Sequence, residues 1–367
     1  MSEEKQGMTY AESGVDIDGI GRALKGMLHW INQTLDFRTG IGRSALPIGH
    51  FANVLDLGQG MGLAVSTDSA GTKVLIAQMM DKYNTIGIDC IAMNVNDLIC
   101  VGAEPIAMLD YLAVETADEW MLEEIAKGLH EGARQANIAI PGGEIAQVGA
   151  LLSGARPGRA FDIVGTGFGV VALDKMVLGS VIGPGDVVIG LRSSGLHSNG
   201  YSLARRVLLE GAKLGLDQHV RSLGRTLGEE LLEPTRIYVR EVVAMLRCEV
   251  GVKGLVNITG DGFLNLIRLD TPVGYVLTDL PEPHPIFPFI QETGGIAIEE
   301  MFLTFNMGIG FCVVCAEDAA GAVLSICREH GAEAQVIGHA VAKPPKQVVV
   351  EQYGLVGSAG HFERTGR

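Results

Sequence analysis

Four segments in the first half of the chain constrain its fold most. Leu63 to Thr67 and Phe161 to Val171 are short apolar runs with β-branched residues and bounding turns, the composition of strands. Between them, Ile86 to Cys100 reads as an apolar helix. Glu119 to Gln135 reads as an amphipathic one, with Trp120, Ile125, Leu129 and Ala133 at helical spacing and Glu123, Glu124, Lys127, Glu131 and Arg134 between them. The order strand, helix, helix, strand predicts an α/β layer. Farther on, Val181-Ile182-Gly183-Pro184-Gly185-Asp186 is a turn that leads into the buried run Val187 to Leu191, the start of a second domain. The same style recurs there. Helices are expected from about Ser202 to Glu210, around Leu231 to Arg247, and over Ala319 to His330, with strands near Tyr275 to Leu277 and Gly308 to Val314. Gly354 to Arg367, glycine-rich and polar, reads as a loose tail.

Composition narrows the function. A length of 367 residues suffices for two domains with substantial cores, and 50 glycines indicate many turns or close backbone approaches. A formal charge of −15 opposes general attraction to nucleic acid or to an anionic membrane. Anionic ligands would then need local devices: metal ions, backbone N–H groups and a few basic residues. No apolar leader opens the sequence and no apolar run reaches membrane-spanning length, so the chain reads as soluble and cytoplasmic. Its six cysteines are too scattered for a disulfide framework. Cys312 and Cys315 form a CxxC, but within a strand-like run and without a second ligand pair, which favours core packing over metal binding.

The polar chemistry gathers in a few places. Asp68 and Lys73 follow the first apolar strand, where loop residues of an α/β layer meet ligands. Asn94, Asn96 and Asp97 offer three oxygen-bearing side chains within four residues of an apolar helix, a costly arrangement unless something binds them. Asp68 and Asp97 can hold Mg2+ while Lys73 neutralises a phosphate, a way to bind ATP without a P-loop. Glu144, after Gly142 and Gly143 in what reads as a turn beyond a helix, would be a third carboxylate for that site. Ser193 to Ser202 follows a buried strand and precedes a helix, so its N–H groups, hydroxyls and amide suit a phosphate or sugar. His197 within it is the leading candidate for a general acid or base. Asp261, in Thr259-Gly260-Asp261-Gly262, would repel a phosphate unless it caps the following helix.

Together these segments resemble the phosphoribosylformylglycinamidine cyclo-ligase family, from about Tyr10 to about Gly338. The resemblance is carried by Ser13-Gly14-Val15-Asp16-Ile17-Asp18, by Asp68 with Gly71-Thr72-Lys73, and by Gly87-Ile88-Asp89. It continues through Asp97 with Gly102, Ala103 and Pro105, Leu109-Asp110-Tyr111, Gly142-Gly143-Glu144, Ser193 to Ser202, Pro234-Thr235-Arg236-Ile237-Tyr238 and Thr304 to Gly310. It implies two AIR synthase-like α/β (α+β) domains, each a mostly antiparallel or mixed sheet packed with helices. Residues 1–172 would bind ATP and form a homodimer, residues 173–345 would be the second domain, and 346–367 an extension. The implied reaction uses ATP to activate the formyl oxygen of formylglycinamidine ribonucleotide, so that a ring nitrogen closes the imidazole. Asp68, Gly71, Thr72, Lys73, Asn96, Asp97, Gly143 and Glu144 would then hold the nucleotide, with Mg2+ on Asp68, Asp97 and Glu144. Ser194, His197, Ser198 and Asn199 would contact the substrate, and His197, Asp97 and Lys73 would serve catalysis. Departures from the family pattern are Ser69 and Ala70 for Gly-Val, Ile145 and Gln147 for a hydroxyl and a carboxylate, Asp261 for the central glycine of three, and Leu303 for an arginine. The glycine-rich stretch expected after the first helix is only partly present, in Gly40-Ile41-Gly42-Arg43. Relatives with other chemistry fit less well. A selenophosphate synthetase wants an early reactive cysteine, a hydrogenase-maturation protein a terminal one, and a thiamine-monophosphate kinase lacks the histidine-loop string. A nucleotide-binding regulator without turnover is the alternative from another class.

Overall fold

The structure, a computed structural model, describes residues 17–366. Residues 13–16 of the amino-terminal motif therefore lie outside the described residues. The first sheet comprises β1 (Asn53–Gly58), β2 (Met61–Ser69), β3 (Glu104–Val114), β4 (Ala139–Gln147) and β5 (Phe161–Ala172) in the order β1-β2-β5-β3-β4. Only its β3–β4 pair is parallel. With it go α1 (Ile17–Thr34), α2 (Val74–Met80), α3 (Ile86–Cys100) and α4 (Glu119–Ala136).

The second sheet has β6 (Val187–Arg192), β9 (Val252–Asn257), β10 (Gly274–Leu277), β11 (Ile309–Cys315), β12 (Ala334–Val341), β13 (Val348–Val350), β14 (Leu355–Ser358) and β15 (His361–Arg364). Their order is β15-β14-β13-β10-β12-β6-β11-β9, and β7 (His219–Val220) with β8 (Arg225–Thr226) forms a separate hairpin. The helices here are α5 (Tyr201–Arg205), α6 (Leu227–Leu231), α7 (Val239–Arg247), α8 (Ile286–Gly294), α9 (Ile298–Thr304) and α10 (Ala320–Glu329).

The helix α3 joins the two halves. All of its residues except Asp97 are buried, as befits a helix apolar all round. It lies on β2 and β5, crosses α4, and meets β9 and α7 of the second half. Close approach depends on absent side chains. A Cβ on Gly87 would stand 2.1 Å from the Leu129 nitrogen, and one on Gly165 of β5 would stand 2.4 Å from the Asn94 amide. Along β5 burial alternates residue by residue, with the odd positions under α3 and the even ones facing outward.

Several expectations need correction. The two helices of the first layer are separated by β3, and Pro141 to Glu144 is strand rather than turn; β4 is an edge strand with little burial, so no apolar alternation betrays it. The helix expected over Leu231 to Arg247 is broken between α6 and α7, where Pro234 cannot supply a helical N–H. Asp261 precedes the 3-10 helix Gly262–Arg268 without a side-chain capping bond. The loose tail is instead the hairpin β14–β15, which extends the sheet and buries Leu355 and Phe362. All six cysteines are free, and Cys312 and Cys315 are wholly buried in β11. Among the described residues, no helix is long and apolar enough to cross a membrane.

Candidate functional site

Polar residues of α3 serve different neighbours according to their place on the helix. Asp89 and Asn96, seven residues apart and so nearly on one face, meet the second half of the chain. The Asp89 Oδ1 accepts from Lys73 Nζ (2.8 Å), from the Thr235 nitrogen and hydroxyl (2.7 Å each) and from Ser198 Oγ (3.3 Å). Lys73 Nζ also donates to the carbonyls of His197 (3.2 Å) and Glu233 (2.5 Å). An ammonium has three protons, and here all three have partners in a fully buried site. Lys73 thus binds the two halves together and has no donor left for a phosphate, a correction to its expected role. The turn explains this: Ser69 Oγ accepts from the Gly71 nitrogen (3.2 Å), Ala70 is buried, and the chain enters α2 with Lys73 inward. Gly71 and Thr72 border the 193–202 loop, with Thr72 Oγ1 3.4 Å from Ser202 Oγ. Asn96 is also a clamp rather than a nucleotide contact, since its amide donates to Arg236 O (2.9 Å) and accepts from Tyr238 N (3.0 Å).

Asp97, one residue on and about 100° around the helix, lies at the seam between the halves. Its Oδ1 accepts from Asn257 Nδ2 at the end of β9 (2.8 Å). Asp68, at the end of β2, accepts from the Ser69 nitrogen (2.7 Å), while Asn94 holds the Asp68 carbonyl (3.2 Å). Burial pushes both carboxyls up. For Asp97 it outweighs the Asn257 hydrogen bond, and with the Asp68 charge adding and the Arg268 charge opposing, that carboxyl reaches about 7. Partly desolvated carboxylates held by amides and backbone groups suit a divalent cation. Mg2+ bound to a nucleotide needs only one or two protein carboxylates, so this pair fits it.

Glu144 does not join them. The register aligns Ser69, Val164, Tyr111 and Glu144 across β2, β5, β3 and β4, three strand spacings or about 14 Å. Glu144 is exposed on the outward face, whereas Asp68 faces the helices. Among the described residues, no three His, Cys, Asp or Glu side chains gather in a metal-binding group. Asp110, in the Leu109-Asp110-Tyr111 motif, has no site role in the sequence reading. It shares the row Asp68, Gly165, Asp110, Gly143 on the helix-facing side, where burial also raises its carboxyl. Gly143 is needed because a Cβ there would lie 2.4 Å from Asp110 Oδ1.

The 193–202 loop closes over the seam. His197 has φ +63 and is buried, and its Nε2 accepts from the Ser194 nitrogen (3.2 Å), which puts the ring proton on Nδ1. Burial, reinforced by the Lys73 charge, lowers its pKa to about 3. The imidazole is therefore neutral at physiological pH. Ser194 Oγ donates to Pro234 O (2.6 Å) and Ser198 Oγ lies 2.9 Å from Thr235 Oγ1, so both hydroxyls serve the loop's seating. Asn199 lies beside Gly260, and its Nδ2 is buried without a partner, which leaves it open to a ligand. Asn306 braces the loop through the carbonyls of Gly195 (2.8 Å) and Leu196 (3.3 Å). The Thr304 to Gly310 string is thus a support for the histidine loop. A Cβ on Gly310 would fall 2.3 Å from His197 Cε1. Sequence reasoning gave no role to Asp89, Thr235, Asn257 or Asn306; the available signal was Asp89, a carboxylate in the first turn of a largely apolar helix.

Comparison with known proteins agrees across both halves. The family model described as AIR synthase related protein, N-terminal domain, matches residues 49–171, and its C-terminal counterpart matches residues 183–351. The phosphoribosylformylglycinamidine cyclo-ligase of Methanobrevibacter smithii is 46% identical over 331 residues, 90% of this chain and 94% of that protein. The protein of the same name from Thermococcus kodakarensis is 47% identical over 349 residues, 95% and 99% of the two chains. Among solved structures, the thiamine-monophosphate kinase of Stenotrophomonas maltophilia superposes with a TM-score of 0.58 at 20% identity, over 88% of this chain and 95% of that one. The hydrogenase maturation protein HypE in complex with ATP gives 0.55 at 22%, over 82% and 83%. These two share the fold; the sequence relatives specify the branch. The chain belongs to the AIR synthase related family and, within it, to the phosphoribosylformylglycinamidine cyclo-ligases.

Proposed function

We infer that the protein closes the imidazole ring of aminoimidazole ribonucleotide from formylglycinamidine ribonucleotide, converting ATP to ADP and phosphate in purine biosynthesis. What supports this reading is membership of the cyclo-ligases, together with the mutual charge effect of Asp68 and Asp97 and the braced loop of Ser193 to Ser202, whose Ser198 bonds Asp89 on the same helix as Asp97. ATP transfers its terminal phosphoryl group to the formyl oxygen. The ribosyl-bearing nitrogen attacks the activated carbon and loses a proton, and phosphate leaves with the former formyl oxygen.

In this reading Asp68 and Asp97 bind the nucleotide through Mg2+, which would supply charge neutralisation for the phosphates when bound. Asn199 and the backbone of the 193–202 loop orient the ribonucleotide. Neutral His197 holds that loop in shape, and the Lys73–Asp89 pair fixes the loop against the nucleotide side.

A homodimer formed through the first sheet accompanies this reading. Among the described residues, the outward face of that sheet presents Leu109 and Tyr111, 39% and 43% exposed, beside the half-buried Val164 and Phe168. Contiguous apolar surface of this kind marks a protein interface. Glu144 lies on the same face and belongs to the pairing surface rather than to the Asp68–Asp97 pair. A cytoplasmic location follows from the pathway.

The test is a coupled ADP-release assay with formylglycinamidine ribonucleotide. ADP formation dependent on that substrate is expected. Tight ATP binding without turnover would indicate a regulator, and turnover only with another acceptor would indicate a different enzyme. His197→Ala should depress turnover more than ATP binding; wild-type turnover in that variant would remove the loop from catalysis.

A further inference from the structure

Asp261 stands where the backbone favours glycine. Its φ is +73, in the left-handed region that a Cβ disfavours. The next residue, Gly262, is also left-handed at +54, and a Cβ there would fall on the Phe302 carbonyl oxygen, 2.0 Å away. Asp261 makes no capping bond to the helix that follows, so local backbone structure does not account for its side chain. The carboxylate instead meets Arg268 at the far end of that helix, with Nη2 3.4 Å from Oδ2. The contact is long and both side chains are more than a third exposed, at 38% and 42%, so the pair is weak.

Arg268 has three neighbours besides Asp261: an aromatic ring, the charge of Asp97 and a cavity. Its guanidinium stacks on Phe51 at 5.1 Å from the ring centre, in the segment that leads into β1. Its charge reaches Asp97. It also lines a cavity of about 330 Å3 between the segment Leu46 to His50 and the end of the 3-10 helix. Lys346, on the same wall, is turned away to the carbonyls of Ile267 (2.9 Å) and Leu269 (2.7 Å). Both ring nitrogens of His50, on the opposite wall, are buried without a partner. A planar guanidinium held by stacking and by one loose ion pair, beside a cavity and within electrostatic reach of Asp97, has the geometry for forked recognition of phosphate.

We propose that Arg268 binds a phosphate group of a ligand in the cleft and that Asp261 competes with this phosphate for the same guanidinium. The inference rests on the reading of Asp68 and Asp97 as the nucleotide side of the cleft. The phosphate belongs either to the nucleotide or to the ribosyl phosphate of the substrate. In both cases Asp261, on a left-handed backbone that favours glycine, weakens the affinity of this chain.

The test is calorimetric titration of the full-length protein with two probes, a nonhydrolysable ATP analogue with Mg2+ and formylglycinamidine ribonucleotide. Arg268→Met should weaken one of them by roughly 10- to 100-fold, the loss expected for a charge-assisted hydrogen-bonded contact. Arg268→Lys should recover only part of it. Asp261→Gly, which suits the left-handed backbone, should tighten the same probe by about 3-fold, a surface ion pair's worth. That gain should vanish in the Arg268→Met background. An effect confined to the ATP analogue assigns the nucleotide phosphate. An effect on the ribonucleotide that disappears with its dephosphorylated nucleoside assigns the ribosyl phosphate. Unchanged binding of both probes in Arg268→Met, or an Asp261→Gly gain that persists without Arg268, overturns the proposal. If the wild-type protein binds neither probe, the reading of the cleft itself fails and the proposal fails with it.

Discussion

Asp97→Asn separates the cost of a buried carboxylate from its use. The substitution keeps a carbonyl oxygen to accept from Asn257 Nδ2, now at 2.8 Å, and exchanges the charged carboxylate's other oxygen for an uncharged amide nitrogen. In the fold the carboxyl is raised from 3.8 to about 7, mainly by burial. The folded chain therefore holds its proton more tightly than the unfolded chain does. Stability falls as pH climbs from about 4 to about 7 and is level above that. At ~1.36 kcal/mol per pKa unit, the rise corresponds to at most about 4 kcal/mol, and partial exposure of Asp97 reduces it toward about 2. Urea unfolding without nucleotide or metal should show Asp97→Asn more stable than wild type at pH 8 by that amount, with the difference closing near pH 4. Added Mg2+ and ATP should reverse the order, because a ligand that binds only the native state stabilises it by mass action and the variant binds more weakly. A difference that is independent of pH, or equal stabilisation of both proteins by Mg2+ and ATP, would refute the reasoning.

Three further substitutions probe the remaining parts. Asp89→Asn leaves the Lys73 ammonium buried without its counter-charge and should cost about 3–5 kcal/mol in urea unfolding; Lys73→Met in the same chain should restore much of it. Gly310→Ala places a methyl 2.1 Å from Tyr238 Oη and 2.3 Å from His197 Cε1. It should cost about 1–3 kcal/mol and lower turnover more than nucleotide affinity, as measured by denaturation and steady-state kinetics. Tyr111→Glu puts a charge on the outward sheet face and should convert a dimer to monomers in sedimentation velocity; a monomeric wild type would contradict the pairing surface.

Sequence periodicity revealed the buried elements and missed the exposed ones. The helix expected over Ile86 to Cys100 is present with those bounds, and the strands at Leu63 to Thr67 and Phe161 to Val171 lie within β2 and β5. Each has a burial pattern strong enough to appear in composition. By contrast, β4 is an edge strand containing a proline and two glycines, and β15 places one buried residue, Phe362, among exposed ones. At the site, Asp68 and Asp97 could be singled out because carboxylates at a strand end and in an apolar helix are costly. The direction of Lys73 could not, because it depends on partners 124 to 160 positions away, in the His197 and Glu233 carbonyls. The place of Glu144 is hidden in the sequence for a related reason. A carboxylate after two glycines looks the same in sequence whether its strand faces the helices or the outside.

The chemistry itself is tested most directly by following the formyl oxygen. Formylglycinamidine ribonucleotide carrying a heavy-oxygen label in its formyl group is incubated with the protein, Mg2+ and ATP, and the released phosphate is analysed by mass spectrometry. Ring closure through a phosphorylated formyl oxygen delivers the label to inorganic phosphate, one atom for each aminoimidazole ribonucleotide formed. Ring closure accompanied by unlabelled phosphate, with the label released to water, would contradict it.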